Sequence, residues 1–431
     1  MKKSRLRILI MAHELSPIQG SECAVGWNIV TRLSKYHDVT VIYANGTQFG
    51  KNSYVDAVRS YIQSNGPIQG LRFVNIENPK ATSIIASINS LFRRLSPVGL
   101  PLLYYLGYKY WQENAYKEAE KLQKVNRYQI IHQLTQVTFR EPGYCWKLGI
   151  PFFWGPTGKT SILPVKFYPL LSFKGMIIEL IRSFSNFYQF NFSSRIRKAN
   201  KIASVIYAFS EQDIVKFNKR ATGKVKVMLD AGTYEGINTI HKNTDGPRRI
   251  KCIWCGRLND LKAPSILLKA IALVTNTNDL IDLLIIGSGP LEESMHKLAK
   301  DLHLNNIEWI ERVSHEEVFR LMGEADFLIH TSLSEATTTV IPEALSMGLP
   351  VICHDISGMS IAVNETCGIK IPFISPKVSI QGFHNAINKL ILDNNYLEEL
   401  KTGARNRSRE ISWDIMAETI ANDYSEAEKH L

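Results

Sequence analysis

Short apolar runs alternate along most of the chain with segments whose apolar residues recur every three to four positions. A run of four to six apolar residues bounded by polar or Gly/Pro positions is how a strand buried on both faces reads. The longer period is that of helices lying against such strands. In the first half the pattern predicts strands at 7–12, 39–43, 71–76, 130–134, 151–154 and 204–209, with helices at 24–34, 54–64 and 105–124. In the second half it predicts strands at 250–255, 283–286, 307–310, 327–330 and 351–353, with helices at 264–275, 291–302, 315–322 and 342–347. A helix-like segment around 396–409 precedes a last helix at 413–429. Strands and helices alternating in this way form parallel α/β layers. A polar, glycine-containing stretch at 233–249 is the expected boundary between two units.

One stretch departs from the pattern. Between 171 and 200, Phe173, Ile177, Ile181, Phe184, Tyr188 and other large apolar residues are interleaved with Lys174, Arg182, Arg195, Arg197 and Lys198. As a helix this is basic and partly amphipathic. It suits an element lying on a membrane surface, and equally a core helix pair with a basic exit.

A chain of 431 residues exceeds one ordinary hydrophobic core, so two domains are expected. The formal charge of +11 is unevenly spread. Residues 1–240 hold 32 Lys+Arg against 14 Asp+Glu, and residues 241–431 hold 19 against 26. The basic half is either a solvated face or a surface that meets anionic lipid or a phosphorylated acceptor. No helix-turn-helix, zinc-finger or RNA-recognition signature is present, which argues against nucleic acid. The basic start MKKSRLR leads into an apolar run too short for a signal peptide, and no window is long enough for a membrane span. The expected location is the cytoplasm, with peripheral attachment to the inner face of the plasma membrane as an extension. Cys252 and Cys255 form a C-x-x-C inside a predicted strand without a second pair at zinc spacing, so buried thiols are favoured over a metal or redox site.

Four patches fall where predicted strands give way to loops, the place where open α/β sheets bind ligands. Gly256-Arg257 and Lys262 follow one strand. Arginine can fork two phosphate oxygens and lysine supplies a point charge, although an ordinary surface pair would read the same way. Gly287-Ser288-Gly289-Pro290 follows another strand; it lacks a third glycine and is either a plain turn or a close backbone approach to a nucleotide. Glu335 and Glu343, with seven residues between them, flank the start of a short helix predicted to open at Pro342 and end before Gly348. Two carboxylates beside an anion-attracting helix end suit a sugar nucleotide, and two solvated carboxylates remain the plainer alternative. In the first half lie the Pro17–Glu22 loop with Gly20 and Ser21, the strand residue His132, and Trp154-Gly155-Pro156-Thr157-Gly158. A lone histidine is as readily structural as functional.

In this order and at these intervals the patches resemble the retaining glycosyltransferases of family 4. The segments that carry the resemblance are E-x7-E, GRLNDLK at 256–262, GSGP at 287–290 and ADFLIHTS at 325–332, with HELSPIQGSE, IHQLTQVTFREPG and FFWGPTG in the first half. The resemblance implies the GT-B architecture of two Rossmann-like domains. We place an acceptor-binding domain at 1–235, a nucleotide-sugar-binding domain at 236–410 and a C-terminal helix, 411–431, returning to the first domain. It also implies residue roles. Gly256, Arg257 and Lys262 would hold the donor diphosphate, with Gly287 and Gly289 beside the nucleotide. Glu343 would bind its ribose, and Glu335, Thr338 and Thr339 would lie at the donor sugar. Gly20 and Ser21 would close near the phosphates, and His132 would approach the anomeric carbon. Catalysis would then rest on Glu335, His132, Arg257 and Lys262.

The implied donor is a UDP- or GDP-sugar and the implied acceptor a saccharide, expected to be lipid-linked and part of surface polysaccharide synthesis. No cofactor is implied. No Asp-x-Asp is present to hold a metal-bound diphosphate, so the cations would stabilise the leaving group themselves. Same-face attack is the expected route to retention, with a covalent Glu335 intermediate as its rival. Two positions depart from the family pattern: Lys159 stands where a second glycine is frequent, and Ala336-Thr337-Thr338-Thr339 replaces a glycine after the first glutamate. A phosphorylase or hydrolase on the same fold, and a non-catalytic nucleotide-sugar-binding protein, are the alternative readings.

Overall fold

The computed structural model describes residues 5–20, 22–48, 53–92, 99–234 and 249–429. The chain divides into two compact units. Unit 1 combines Met1–Thr160, Tyr188–Asp230 and Trp413–Leu431, and unit 2 combines Ser161–Phe187 with Ala231–Ser412. Residues 161–187 thus cluster with the second unit, a grouping that a division at 235 does not contain.

Unit 1 is built on seven parallel strands: β1 (Arg7–Ala12), β2 (Asp38–Ala44), β3 (Leu71–Ile76), β4 (Ile130–Thr135), β5 (Phe152–Thr157), β6 (Val205–Ala208) and β7 (Lys224–Val227). Their order is β3-β2-β1-β4-β5-β6-β7. Ile8–Ala12 are buried, and all of β4 and β5 are buried, because helices cover both faces of a parallel sheet. The outer strands β3 and β7 are partly exposed, so they carry polar residues at alternate positions. The helix Trp413–Glu428 packs on the helix Glu22–Leu33, with Arg32 Nε donating to Asp414 at 2.8 Å.

Unit 2 has six parallel strands: β8 (Ile250–Cys255), β9 (Ile281–Ile286), β10 (Ile307–Ile310), β11 (Phe327–His330), β12 (Val351–His354) and β13 (Gly368–Ile371). They run in the order β10-β9-β8-β11-β12-β13. Its core joins Trp254, Leu283, Ile285, Phe327, Ile329 and Ile352 from the sheet to Ile266, Leu267, Ile271, Phe383 and Ile387 from the helices.

In both sheets the order reverses between the first and fourth strands, and that switch point opens a crevice beyond the strands' carboxyl ends. It lies between β1 and β4 in unit 1 and between β8 and β11 in unit 2.

Candidate active site

In unit 2 the loops after β8 and β11 meet at the switch point. Lys262 ends a short 3-10 turn, Asp260–Lys262, whose first amides are capped by Asn259: its side chain accepts from the Lys262 N–H at 3.0 Å. Thr331, just past β11, ties this turn to the sheet. Its hydroxyl accepts from Trp254 Nε1 at 3.1 Å and donates to the Lys262 carbonyl at 2.8 Å. The Leu333 amide donates to the Leu261 carbonyl at 2.8 Å. So braced, Lys262 Nζ reaches Glu335 Oε1 at 2.5 Å, with both side chains less than one-fifth exposed. Sequence positions 73 apart thus become one cation–carboxylate pair. Arg257 stands exposed on the same β8 loop.

The two glycine-bearing loops serve each other before they serve any ligand. A Cβ on Gly287 would lie 1.9 Å from the Gly256 carbonyl oxygen, and one on Gly289 would lie 2.4 Å from that of Leu258. Gly287 also has φ +142°, which side-chain-bearing residues rarely adopt. The Gly256 amide donates to Ile286 at 2.9 Å and the Leu258 amide to Ser288 at 3.1 Å. A Cβ on Gly256 meets nothing closer than 3.5 Å, so the fold itself does not require glycine there.

The helix at the second glutamate runs Val340–Ser346, beginning two residues before the expected start at Pro342. Proline is tolerated there because its missing N–H falls among the first-turn donors, which have no intrahelical partner in any case. Gly348, with φ +67°, terminates the helix in the left-handed region. Glu343 sits in the first turn, buried, and accepts from or donates to His315 Nε2 at 2.9 Å according to the proton held by the pair. This hydrogen bond with Glu343 raises the His315 pKa against the lowering effect of burial. Thr338 has φ +67°, and Thr339 occupies the position before the helix without capping it through its side chain. Cys255 lies within electrostatic reach of Glu343 and Lys262; burial, then the Glu343 charge, push its thiol up to about 12.

Sequence reasoning missed His330, at the end of β11. It is fully buried, and neither ring nitrogen has a hydrogen-bond partner among the described residues. Burial, with the nearby Lys262 charge, keeps it neutral.

Unit 1 places a different set of groups at its own switch point. His13 Nδ1 and Glu14 Oε1 lie 2.8 Å apart, and Gln136 Nε2 donates to the same carboxylate oxygen at 3.0 Å. His13 Nε2 and Glu14 Oε2 are buried without a hydrogen-bond partner among the described residues. Glu22 opens the next helix, which approaches closely because Gly26 lets it press on the Glu14 carbonyl; a Cβ there would fall 2.3 Å from that oxygen. Burial, then the Glu14 charge, raise the Glu22 pKa to about 8 against the pull of Lys159. Glu14 itself is held below its ordinary value. Burial acts upward, but the His13 charge and the hydrogen bonds from His13 and Gln136 together outweigh it. Only the HELSPIQGSE segment hinted at this cluster, since Gln136 arrives from 122 residues away. Gly20 is exposed with open space where a Cβ would be, and Ser21 lies outside the described residues.

His132, expected beside a donor sugar, is instead a core residue of unit 1. It is fully buried inside β4; Nδ1 lies 2.5 Å from the Tyr424 hydroxyl and Nε2 2.6 Å from the Gly155 carbonyl. Burial lowers its pKa to about 4. Both ring nitrogens are committed within the unit, which leaves none for a ligand.

Residues 238–407 match the family described as Glycosyl transferases group 1. A D-inositol 3-phosphate glycosyltransferase of Streptomyces bingchenggensis is 30% identical over 186 residues, which span 41% of this chain and 40% of that protein. The chain thus aligns with about two-fifths of the length of the curated relative. Among solved structures, Anabaena Alr3699/HepE in complex with UDP and glucose covers 97% of this chain and 99% of its own, with a TM-score of 0.57 and 16% identity. Sucrose-phosphate synthase of Thermosynechococcus elongatus covers 99% of this chain and 100% of its own, with a TM-score of 0.63 and 15% identity. At these identities the likeness is one of fold, and the fold is GT-B.

Proposed function

We propose that this chain, which belongs to the group 1 glycosyl transferases of GT-B fold, moves a sugar from a nucleotide-sugar donor to a saccharide acceptor. The observation that carries the reading is the Lys262–Glu335 pair held by braced loops at the switch point of unit 2. The UDP in the Alr3699/HepE structure supports a UDP-sugar as the first donor to try, with GDP-sugars second.

Breaking the sugar–phosphate bond puts negative charge on the diphosphate and positive charge on the ring. Arg257 and Lys262 would meet the first, as preorganised cations in a site partly shielded from water. A diphosphate at Lys262 competes with Glu335 for the ammonium. Glu335 is then free to accept hydroxyl hydrogen bonds from the donor sugar and to sit near the developing positive charge. Glu343 would take the ribose hydroxyls in exchange for His315. Thr338 and Thr339, between the two carboxylates, would shape the sugar pocket. Leaving-group stabilisation by side chains accounts for transfer without a metal, and same-face attack for retention. At the unit 1 switch point, His13, Glu14 and Gln136 offer hydrogen-bonding groups of the kind a saccharide hydroxyl requires. We extend the reading to a lipid-linked acceptor in surface polysaccharide synthesis, on the strength of the basic first half and the exposed helix described below.

The test is a panel of nucleotide sugars scored by thermal stabilisation, because a ligand that binds only the folded state raises its stability by mass action. One donor should stabilise the protein, and release of its nucleotide should fall about 100-fold or more in Glu335→Gln and Arg257→Ala. Full turnover in both variants would overturn the site. Phosphate-dependent cleavage without any nucleotide would move the activity to a phosphorylase.

A further inference from the structure

The helix Phe173–Phe192 is amphipathic in the wrong sense for water. A surface helix ordinarily turns its apolar stripe inward and its polar face outward. Here Ile177, Ile181, Phe184, Tyr188 and Phe192 recur at helical spacing, and each is between 41% and 72% exposed. Phe173, Leu180 and Phe187 widen the same stripe, which spans about 140° at about 100° per residue. The opposite side carries Glu179, Asn186 and Phe190, all buried. Glu179 is neutralised there by Arg182 at 2.8 Å. The helix therefore turns its polar groups toward the protein and its aromatic groups away from it. An apolar stripe of this extent on a soluble surface marks an interaction site.

The surrounding charge identifies the occupant. Between 161 and 203 the chain holds seven Lys+Arg and one acid, Glu179. Of the cations expected on this patch, Arg182 and Arg195 turn inward to Glu179 and Glu141, each at 2.8 Å. Lys166, Lys174, Arg197, Lys198 and Lys201 remain exposed. A protein partner would call for some exposed acid or hydrogen-bonding pattern on this face. Aromatic and aliphatic side chains flanked by cations alone match the acyl boundary and anionic headgroups of a bilayer. No helix among the described residues is long and apolar enough to cross a membrane, so the element would lie in the interface plane.

We infer that Phe173–Phe192 is a membrane-docking helix that seats the protein on an anionic lipid surface through its Ile177–Ile181–Phe184–Tyr188 stripe. The inference goes beyond the donor-site reading and does not depend on it, but the two meet in unit 2. Ser172, just before the helix, donates to Asp260 in the Lys262 turn at 2.6 Å. Gly175 lets the helix press on that aspartate, since a Cβ there would lie 2.1 Å from its carboxylate. Arg182 donates to Ser334, the neighbour of Glu335, at 3.1 Å. The buried side of the helix thus braces both members of the Lys262–Glu335 pair. A bilayer on its outer side would lie about one helix diameter, roughly 10 Å, from the residues those contacts brace. That spacing suits an acceptor whose saccharide is carried on a lipid.

The test is sedimentation with phosphatidylcholine vesicles, with and without phosphatidylglycerol. The protein should partition onto the anionic vesicles. Ile181→Glu with Phe184→Glu should weaken partitioning about 100-fold, and Arg197→Gln, Lys198→Gln and Lys201→Gln together about as much, at about fivefold per cation. Both variants should keep the wild-type melting temperature and its stabilisation by donor, which separates failure of docking from failure of the donor site. If the glutamate pair prevents folding, Phe184→Cys carrying an environment-sensitive dye should shift to the blue on anionic vesicles. Wild-type protein that ignores anionic vesicles, or glutamate variants that bind them undiminished, would overturn the inference. So would a wild-type dimer that the glutamate pair converts to monomer without any vesicle binding, because the stripe would then be a self-association face.

Discussion

Gly287 and Gly256 make a matched experiment on the nucleotide side of unit 2. Both stand in glycine-bearing segments at strand ends, yet the structure asks different things of them. A methyl group on Gly287 would lie 1.9 Å from the Gly256 carbonyl oxygen and would need to reach roughly 3.5 Å. Neither loop can yield without loosening the Gly256–Ile286 and Leu258–Ser288 hydrogen bonds. Each such bond contributes about 1 kcal/mol, and holding alanine at φ +142° adds about 1–3 kcal/mol of strain. Gly287→Ala should therefore destabilise unit 2 by about 3–5 kcal/mol, a melting shift on the order of 10 °C for a unit of this size. Gly256→Ala meets only ordinary contacts at 3.5 Å and should cost less than about 1 kcal/mol.

Differential scanning calorimetry reads the stability, and the shift on adding the stabilising donor reads the site. For Gly287→Ala the melting temperature and the donor response should fall together, because the β8 loop that carries Arg257 is displaced. For Gly256→Ala the protein should melt as wild type. If it nevertheless loses its donor response, glycine at 256 serves ligand approach. A Gly287→Ala protein that melts within a degree or two of wild type would refute the steric argument.

Three further expectations follow from buried groups. Glu22 keeps its proton in the fold up to about pH 8, whereas the unfolded chain releases it near 4.5, so its contribution to stability is lost as pH rises between those values. Glu22→Gln should gain in melting temperature relative to wild type from pH 5 to pH 8.5, and a pH-independent difference would contradict the assignment. Tyr424→Phe leaves His132 Nδ1 buried without its 2.5 Å partner and should cost about 1–3 kcal/mol in chemical denaturation while donor affinity stays unchanged; a selective loss of donor affinity would return His132 to the site. The raised His315 pKa favours an imidazolium paired with Glu343 as pH falls, so donor affinity measured by calorimetry should weaken on the acid side of neutrality. His315→Ala should flatten that dependence, and an unchanged profile would mean that Glu343 does not exchange partners.

The strands were legible because burial on both faces leaves little choice of residue. Residues 7–12, 71–76, 250–255, 307–310 and 327–330 are strands with the expected ends. What escaped lies at the edges. Lys224–Val227 reads KVKV and Gly368–Ile371 reads GIKI; each is a short outer strand whose partly exposed positions accept lysine, so the apolar run disappears. The helix Lys80–Ser90 is rich in serine and threonine and reads as a loop. At the site, spacing found Lys262 and Glu335 because both follow strands, and topology brings strand ends together. It misjudged His132 because a strand pattern does not reveal a partner such as Tyr424, 292 residues away. It passed over the inverted stripe for a related reason. Period alone says that a helix has two faces and leaves open which of them the protein covers.

The two switch points carry opposite charge from their surroundings, and this bears on which ligand belongs to which unit. Residues 1–240 are strongly basic, yet the edge of unit 1 where β1 and β4 part presents Glu14 and Glu22. Residues 241–431 are net acidic, yet the equivalent edge of unit 2 presents Arg257 and Lys262. Net charge acts over a Debye length of about 8 Å at physiological salt, whereas a bound group answers to the side chains it touches. A diphosphate placed against Glu14 would meet a buried carboxylate held in its ionised form, and the repulsion there is scarcely screened. A neutral sugar suffers no such penalty, and its hydroxyls can satisfy the unpartnered Glu14 Oε2 and His13 Nε2. Local charge therefore supports the donor in unit 2 and a saccharide in unit 1. It leaves the basic charge of the first half to a larger anionic surface, which the exposed cations at 197, 198 and 201 are placed to meet.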